Sequence, residues 1–61
     1  HMNRLSYFRK ARGLTVGQAA RMAYLSEDQY IRYEEGKQLH NVWHGQLIAR
    51  ALGTTVEQLW R

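Results

Sequence analysis

Three short motifs of the same form divide this chain into helices. Each has a threonine or serine followed three residues later by a glutamine, at 15–18, 26–29 and 55–58. In such a capping box the hydroxyl accepts a hydrogen bond from the glutamine N–H, and the glutamine side chain accepts one from the N–H of the first residue. Three boxes in 61 residues predict three helix starts.

Glycines supply the matching helix ends. Gly13, Gly36 and Gly53 each follow a helical stretch, where a left-handed residue often closes a helix. Asn41 is a fourth candidate N-cap, and the chain has no proline. We therefore predict five helices, which lie at about residues 3–12, 16–23, 27–35, 42–52 and 56–60. They form one compact all-α domain over residues 3–61, while His1 and Met2 look like an expression scar and the natural start.

Helical periodicity selects the core. Apolar residues that recur every three or four positions share one face of a helix. They are Leu5, Phe8, Ala19, Ala20, Ala23, Tyr30, Tyr33, Val42, Ile48, Ala49, Leu52, Val56 and Leu59. The second helix offers alanines and the third offers two large tyrosines, so we expect these two helices to cross closely.

Composition favours a polyanionic partner. The formal net charge is +4, and four of the five acids lie between residues 26 and 36, which leaves the rest of the chain strongly basic. The chain has no cysteine and no apolar run long enough to span a membrane, and we expect a cytoplasmic protein.

The sequence lacks a catalytic or metal-binding constellation. It has no nucleophile grouped with a base, and no glycine-rich phosphate loop. His40 and His44 are four residues apart, but His40 precedes the expected N-cap Asn41 and so lies outside the helix. We predict no enzymatic activity, no cofactor, no metal and no small-molecule ligand.

The order of these motifs resembles a known family. The segment "RKARGLTVGQAARMAYLSEDQYIRYEEGK", followed by "IARALGTTVEQLW", is similar to the Cro/repressor-type (Xre, lambda-repressor-like) DNA-binding domain of phage and bacterial transcription regulators. The resemblance spans about residues 4–60. It implies a helix-turn-helix in which the helix at 27–35 lies in the major groove of double-stranded DNA.

The resemblance also assigns roles to particular residues. Those expected to read bases are Glu27, Asp28, Gln29 and Arg32. Those expected to contact the DNA backbone are Thr15, Gly17, Lys37 and Gln38. Arg9 and Glu34 match a pair that in relatives forms an internal salt bridge between the first and third helices. Relatives usually bind two-fold sites, so the resemblance further implies a homodimer.

Four positions depart from the family's pattern. Val16 stands where a glutamine usually grips a phosphate, and Glu35 where an asparagine often precedes the exit glycine, so both weaken the expected hold on the DNA backbone. Tyr24 stands where glycine is preferred, which puts a bulky residue at a position that often needs a positive φ. His40 replaces a frequent proline.

Three interpretations of Glu27 and Asp28 stay open. Acids in the first turn stabilise a helix through its dipole, by roughly 0.3–1 kcal/mol each. A carboxylate also accepts a hydrogen bond from cytosine N4 in the major groove. The third interpretation is that this helix contacts a protein. The alternative to a DNA-binding regulator is therefore a helix-turn-helix used for protein–protein interaction, such as an antitoxin-like module, and Trp43 is either part of a self-association surface or an ordinary exposed aromatic.

Overall fold

The computed structural model describes residues 3–61, which contain five helices and no strand. The helices are α1 (Leu5–Ala11), α2 (Val16–Met22), α3 (Glu27–Glu34), α4 (Val42–Leu52) and α5 (Val56–Leu59). The prediction of a compact all-α domain with five helices is confirmed. The interpretation of His1 and Met2 falls outside the described residues.

Two capping boxes are complete, and they begin α2 and α3. At α2 the Gln18 N–H donates to Thr15 Oγ1 at 3.0 Å, and Gln18 Oε1 accepts from the Thr15 N–H at 2.8 Å. At α3 the Gln29 N–H donates to Ser26 Oγ at 3.1 Å, and Gln29 Oε1 accepts from the Ser26 N–H at 3.4 Å. Both helices thus begin where the sequence predicts.

The last two helices begin with a single cap each. Asn41 Oδ1 accepts two backbone N–H groups of the first turn of α4, at 2.9 and 3.2 Å. Thr55 Oγ1 accepts from the Gln58 N–H at 3.1 Å, but the Gln58 side chain accepts from Arg61 instead. The third predicted box is therefore only half formed.

The predicted start of α1 was two residues too early. Asn3 is not helical, because its side chain makes two hydrogen bonds that hold the chain before the helix. Asn3 Oδ1 accepts from the Leu5 N–H at 3.0 Å, and Asn3 Nδ2 donates to the backbone oxygen of Tyr33 at 2.7 Å. This residue therefore joins the start of α1 to the end of α3.

The turn between α2 and α3 has the expected strained residue. Tyr24 has φ +59°, a left-handed value otherwise found here only at glycines within residues 3–61. Its side chain is 81% exposed, so it points into solvent and does not fill the core. The turn closes with a non-glycine residue at a conformational cost.

Buried side chains from all five helices form one core. They are Leu5, Ala19, Ala20, Ala23, Tyr30, Tyr33, Ile48, Ala49, Ala51, Leu52 and Leu59. The helices α2 and α3 pack against each other, and the alanines of α2 belong to the same core as the tyrosines of α3. Phe8 and Val56 are only partly buried.

Val42 was wrongly assigned to the core, since its side chain is 71% exposed. It is the first residue of α4, and Leu39 from the preceding loop packs against the next turn of the helix instead. Gly45 is buried there, and a Cβ added to it would lie 2.7 Å from Leu39 Cδ2. Close contact of Leu39 with this part of α4 therefore depends on the missing side chain at Gly45.

Two buried tyrosines differ in how their hydroxyls are bonded. The Tyr33 hydroxyl lies 2.7 Å from His44 Nδ1, which joins α3 to α4. The Tyr30 hydroxyl is buried and makes no hydrogen bond to any residue that the structure describes. A buried hydroxyl without a partner lowers stability, whereas a bonded one raises it.

We therefore expect opposite effects from removing the two hydroxyls. Tyr33→Phe should lower the free energy of unfolding by about 1 kcal/mol, and Tyr30→Phe should leave it unchanged or raise it by up to about 1 kcal/mol. Urea unfolding of both variants measures the difference. Equal losses in the two variants would contradict the bonding described here.

The end of α4 is capped by a side chain from the α1 end. Arg12 Nε donates to the backbone oxygen of Leu52 at 3.0 Å. Its guanidinium lies over Gly53, so a Cβ at Gly53 would overlap it. Gly53 has φ +69° and Gly13 has φ +70°, but a Cβ at Gly13 would meet nothing within 4 Å.

Gly13 and Gly53 therefore form a matched pair for substitution. Gly13→Ala should cost about 1 kcal/mol of stability, from the left-handed backbone alone. Gly53→Ala should cost roughly 1 kcal/mol more, because it also breaks the Arg12 hydrogen bond. Thermal unfolding checks this, and the extra loss should disappear in an Arg12→Ala background. A persistent gap in that background would rule out Arg12 as its cause.

Candidate nucleic-acid interface

The outward face of α3 carries the residues expected to read bases. Glu27, Asp28, Gln29 and Arg32 are all exposed, whereas Tyr30 and Tyr33 point into the core. Asp28 and Arg32 are four residues apart, so they lie on the same face of the helix. No ion pair joins them within residues 3–61, so both side chains are available to a ligand.

Glu27 and Gln29 have contacts inside the protein. The Gln29 side chain belongs to the capping box of α3, which occupies its carbonyl oxygen. Glu27 folds toward α2, and a Cβ added to Gly17 would lie 2.6 Å from Glu27 Oε2. Of the four residues expected to read bases, Glu27 and Gln29 have contacts within the protein. The side chains of Asp28 and Arg32 make no hydrogen bond or ion pair within residues 3–61.

The residues expected to contact the DNA backbone lie at both ends of the α2–α3 pair. Thr15 and Gly17 are at the start of α2, and the Thr15 hydroxyl is held by its capping box. Lys37 and Gln38 follow α3 and are exposed. Lys37 Nζ lies 5.3 Å from the ring centroid of Tyr33, which places its charge beside the end of α3.

Arg9 and Glu34 form an ion pair between α1 and α3. Arg9 Nε lies 2.7 Å from Glu34 Oε2, and Arg9 Nη2 lies 3.2 Å from Glu34 Oε1. Arg9 Nη1 also donates to the backbone oxygen of Leu14 at 3.0 Å. The side chains are only 13% and 14% exposed, so the carboxylate of Glu34 is turned away from the exposed face of α3.

The pair contributes to pKa shifts of Arg9 itself and of the nearby Tyr30. The hydrogen bond to Glu34 raises the pKa of Arg9, although partial burial acts in the opposite direction. Burial, and then the nearby Glu34 carboxylate, raise the pKa of Tyr30 well above its ordinary value. Both shifts keep Arg9 charged and Tyr30 neutral.

Val16 and Glu35, two of the residues that depart from the pattern of the family that the sequence resembles, have different surroundings in the structure. Val16 is partly buried and packs against the core, so an apolar residue there gains packing and offers no donor to a phosphate. Glu35 is the exposed C-cap residue of α3 and adds a negative charge beside Lys37. Both lie at the edges of the α2–α3 surface.

No group of three or more metal-ligating side chains occurs in the described part of the chain. His44 Nδ1 is bonded to the Tyr33 hydroxyl, and His40 is exposed in the loop before α4. Of the described helices, none has the length and apolar character needed to cross a membrane.

Sequence reasoning missed the roles of Arg12 and His44. No role was predicted for Arg12, yet it donates to the end of α4. His44 was considered only as a metal ligand, yet it is hydrogen-bonded to Tyr33. Their positions in the sequence give no local indication of these contacts, because each partner lies in a different helix.

Comparisons with known proteins return no relative. No family model matches the chain, and neither does any curated protein or solved structure. The site must therefore be interpreted from its own geometry.

The Arg9–Glu34 pair is expected to contribute strongly to stability. Arg9→Ala and Glu34→Ala should each cost about 2–3 kcal/mol, because each strands a desolvated charge, and the double variant should cost less than the two losses together. Arg32→Ala on the exposed face is the control and should change stability by less than about 0.5 kcal/mol. Additive losses from the two single variants would show that the two residues are not coupled.

Proposed function

We propose that this chain binds double-stranded DNA through α3, as a transcription regulator or the DNA-binding part of one. The observation that carries the proposal is the pairing of α2 and α3. Two capped helices pack against each other, their alanines and tyrosines belong to one core, and the exposed side of α3 is polar. A helix-turn-helix places its second helix in the major groove, and the packing of α2 on α3 supports such an arrangement here.

The exposed face of α3 suits one kind of base pair. Arginine donates two hydrogen bonds to guanine O6 and N7, and a carboxylate accepts one from cytosine N4. Asp28 and Arg32 lie one helical turn apart on the same face. We infer that they read a G·C pair or two neighbouring pairs, with Gln29 in a secondary role because its carbonyl is used in the cap.

One basic residue and three uncharged ones are the proposed contacts with the DNA backbone. Lys37 and Gln38 flank α3 on one side, and Thr15 and Gly17 lie on the other. The net charge of +4 favours approach to DNA. Fewer phosphate contacts are available than in a typical relative, since Val16 offers no donor and Glu35 repels phosphate. Binding should therefore be weak on random sequence.

Such a regulator would act in the cytoplasm of a bacterium or of a phage-infected cell. The Cro/repressor-type resemblance supports a homodimer on a two-fold site. Trp43, 70% exposed at the start of α4, is a candidate for the contact between two copies.

A protein-binding module is the second candidate. Its support is the exposed acidic start of α3 together with Val16 and Glu35, which reduce the hold on phosphate. It predicts the same fold but no salt-dependent binding to duplex DNA.

Selection from a random duplex library, followed by binding at several salt concentrations, separates the two candidates. We expect log affinity to fall linearly with log salt, with a slope that reflects several phosphate contacts. Absence of binding to any duplex at low salt would exclude the DNA-binding function and favour the protein-binding module.

Two variants test the division of roles on the selected site. Arg32→Ala should lose about 1–3 kcal/mol on that site and relax the preference at one base pair. Lys37→Ala should weaken all sequences alike and reduce the salt slope by about 1. A uniform loss for Arg32→Ala would contradict its role in reading bases.

A further inference from the structure

Glu27 is held differently from Asp28, although the two acids are neighbours on α3. A Cβ added to Gly17 would lie 2.6 Å from Glu27 Oε2 and 3.8 Å from Glu27 Cδ, so the carboxylate lies against the backbone of α2. The same position is 4.0 Å from Thr15 Oγ1. Glu27, Gly17 and Thr15 therefore form one cluster, which we call the Gly17 cluster.

The Gly17 cluster depends on the absence of a side chain at Gly17. Any Cβ there would push the Glu27 carboxylate away, because the separation is shorter than a van der Waals contact allows. Asp28 has a shorter side chain and makes no hydrogen bond or ion pair with another side chain in the described part of the chain. Both acids are exposed, but only Glu27 also lies against the backbone of α2.

The cluster lies where the proposed function places a DNA phosphate. Thr15 and Gly17 are the backbone contacts proposed for the start of α2. A phosphate that approaches this place meets the Glu27 carboxylate, and like charges at short range repel each other. That repulsion does not depend on the base sequence, because every duplex carries the same phosphates.

We propose that Glu27 lowers the affinity for all duplex DNA and does not read bases, an inference that rests on the proposed function. It acts through repulsion of the DNA backbone at Gly17, while Asp28 and Arg32 provide the base preference. Stable binding then depends on the base contacts, since the backbone contacts at this end are opposed. Glu27 therefore sets the overall affinity for duplex DNA and not the base preference.

The test is the variant Glu27→Gln, which keeps the shape of the side chain and removes its charge. Affinity for the selected site and for a random duplex should rise by the same factor, roughly tenfold at low salt, and the salt slope should steepen by about 1. The ratio of the two affinities should not change. Fluorescence anisotropy with labelled duplexes of both kinds, at four or more salt concentrations, measures all three quantities.

Two control variants separate the effect of Glu27 from a general change in net charge and from a change in base preference. Glu57→Gln makes the same change in net charge on an exposed residue of α5, which packs against α4, and should raise affinity much less. Asp28→Asn should change the base preference of a second library selection. Circular dichroism of each variant confirms that it is folded.

The outcomes distinguish failure of the inference from failure of the proposed function. A loss of affinity or a new base preference in Glu27→Gln would make Glu27 a base reader, and a rise no greater than that of Glu57→Gln would make the contact irrelevant. Either result overturns the inference while DNA binding stands. If wild type and all three variants bind no duplex at low salt, the proposed function fails and the inference falls with it.

Discussion

The ion pair of Arg9 and Glu34 joins α1 to α3 and to the loop that leads into α2. The guanidinium spans the carboxylate of α3 and the backbone oxygen of Leu14, so a single side chain links α1, the loop before α2 and the last turn of α3. Because both side chains are largely desolvated, separating them would leave a charge without a partner. The pair also holds the Glu34 carboxylate away from the exposed face of α3.

The packing of α2 against α3 combines small and large side chains. Alanines on α2 and large tyrosines on α3 belong to the same core, which is the balance that close-packed helices need. The turn that joins the two helices contains Tyr24 in a left-handed conformation, at a conformational cost. The same packing places the exposed Glu27 side chain against Gly17 of α2, so the charge of this acid lies beside the start of α2.

The sequence predicted those features that depend on residues close together in the chain. Capping motifs and helical periodicity are local, so the starts of α2 to α5 and most of the core were correct. Prediction from the sequence failed where a contact joins residues that are far apart in the chain. It also failed where a loop residue, rather than the expected helix residue, packs against the core. Leu39 packs against the core beside Gly45 while Val42 is exposed, and the Arg12 contact with the end of α4 spans forty residues of sequence. The Glu27–Gly17 contact belongs to the same class, because it depends on how α2 and α3 cross.

The acidic start of α3 is compatible with the proposed DNA binding if its charges have different tasks. Glu34 is neutralised inside the protein, and Glu27 lies against α2. Under the proposed function, exposed Asp28 and Arg32 supply one carboxylate and one guanidinium, which would match the donor and acceptors of a G·C pair. With weak phosphate contacts, such a surface would gain little on random DNA and would depend on its base contacts for stable binding. Low backbone affinity and base preference would then both follow from the same arrangement of charge.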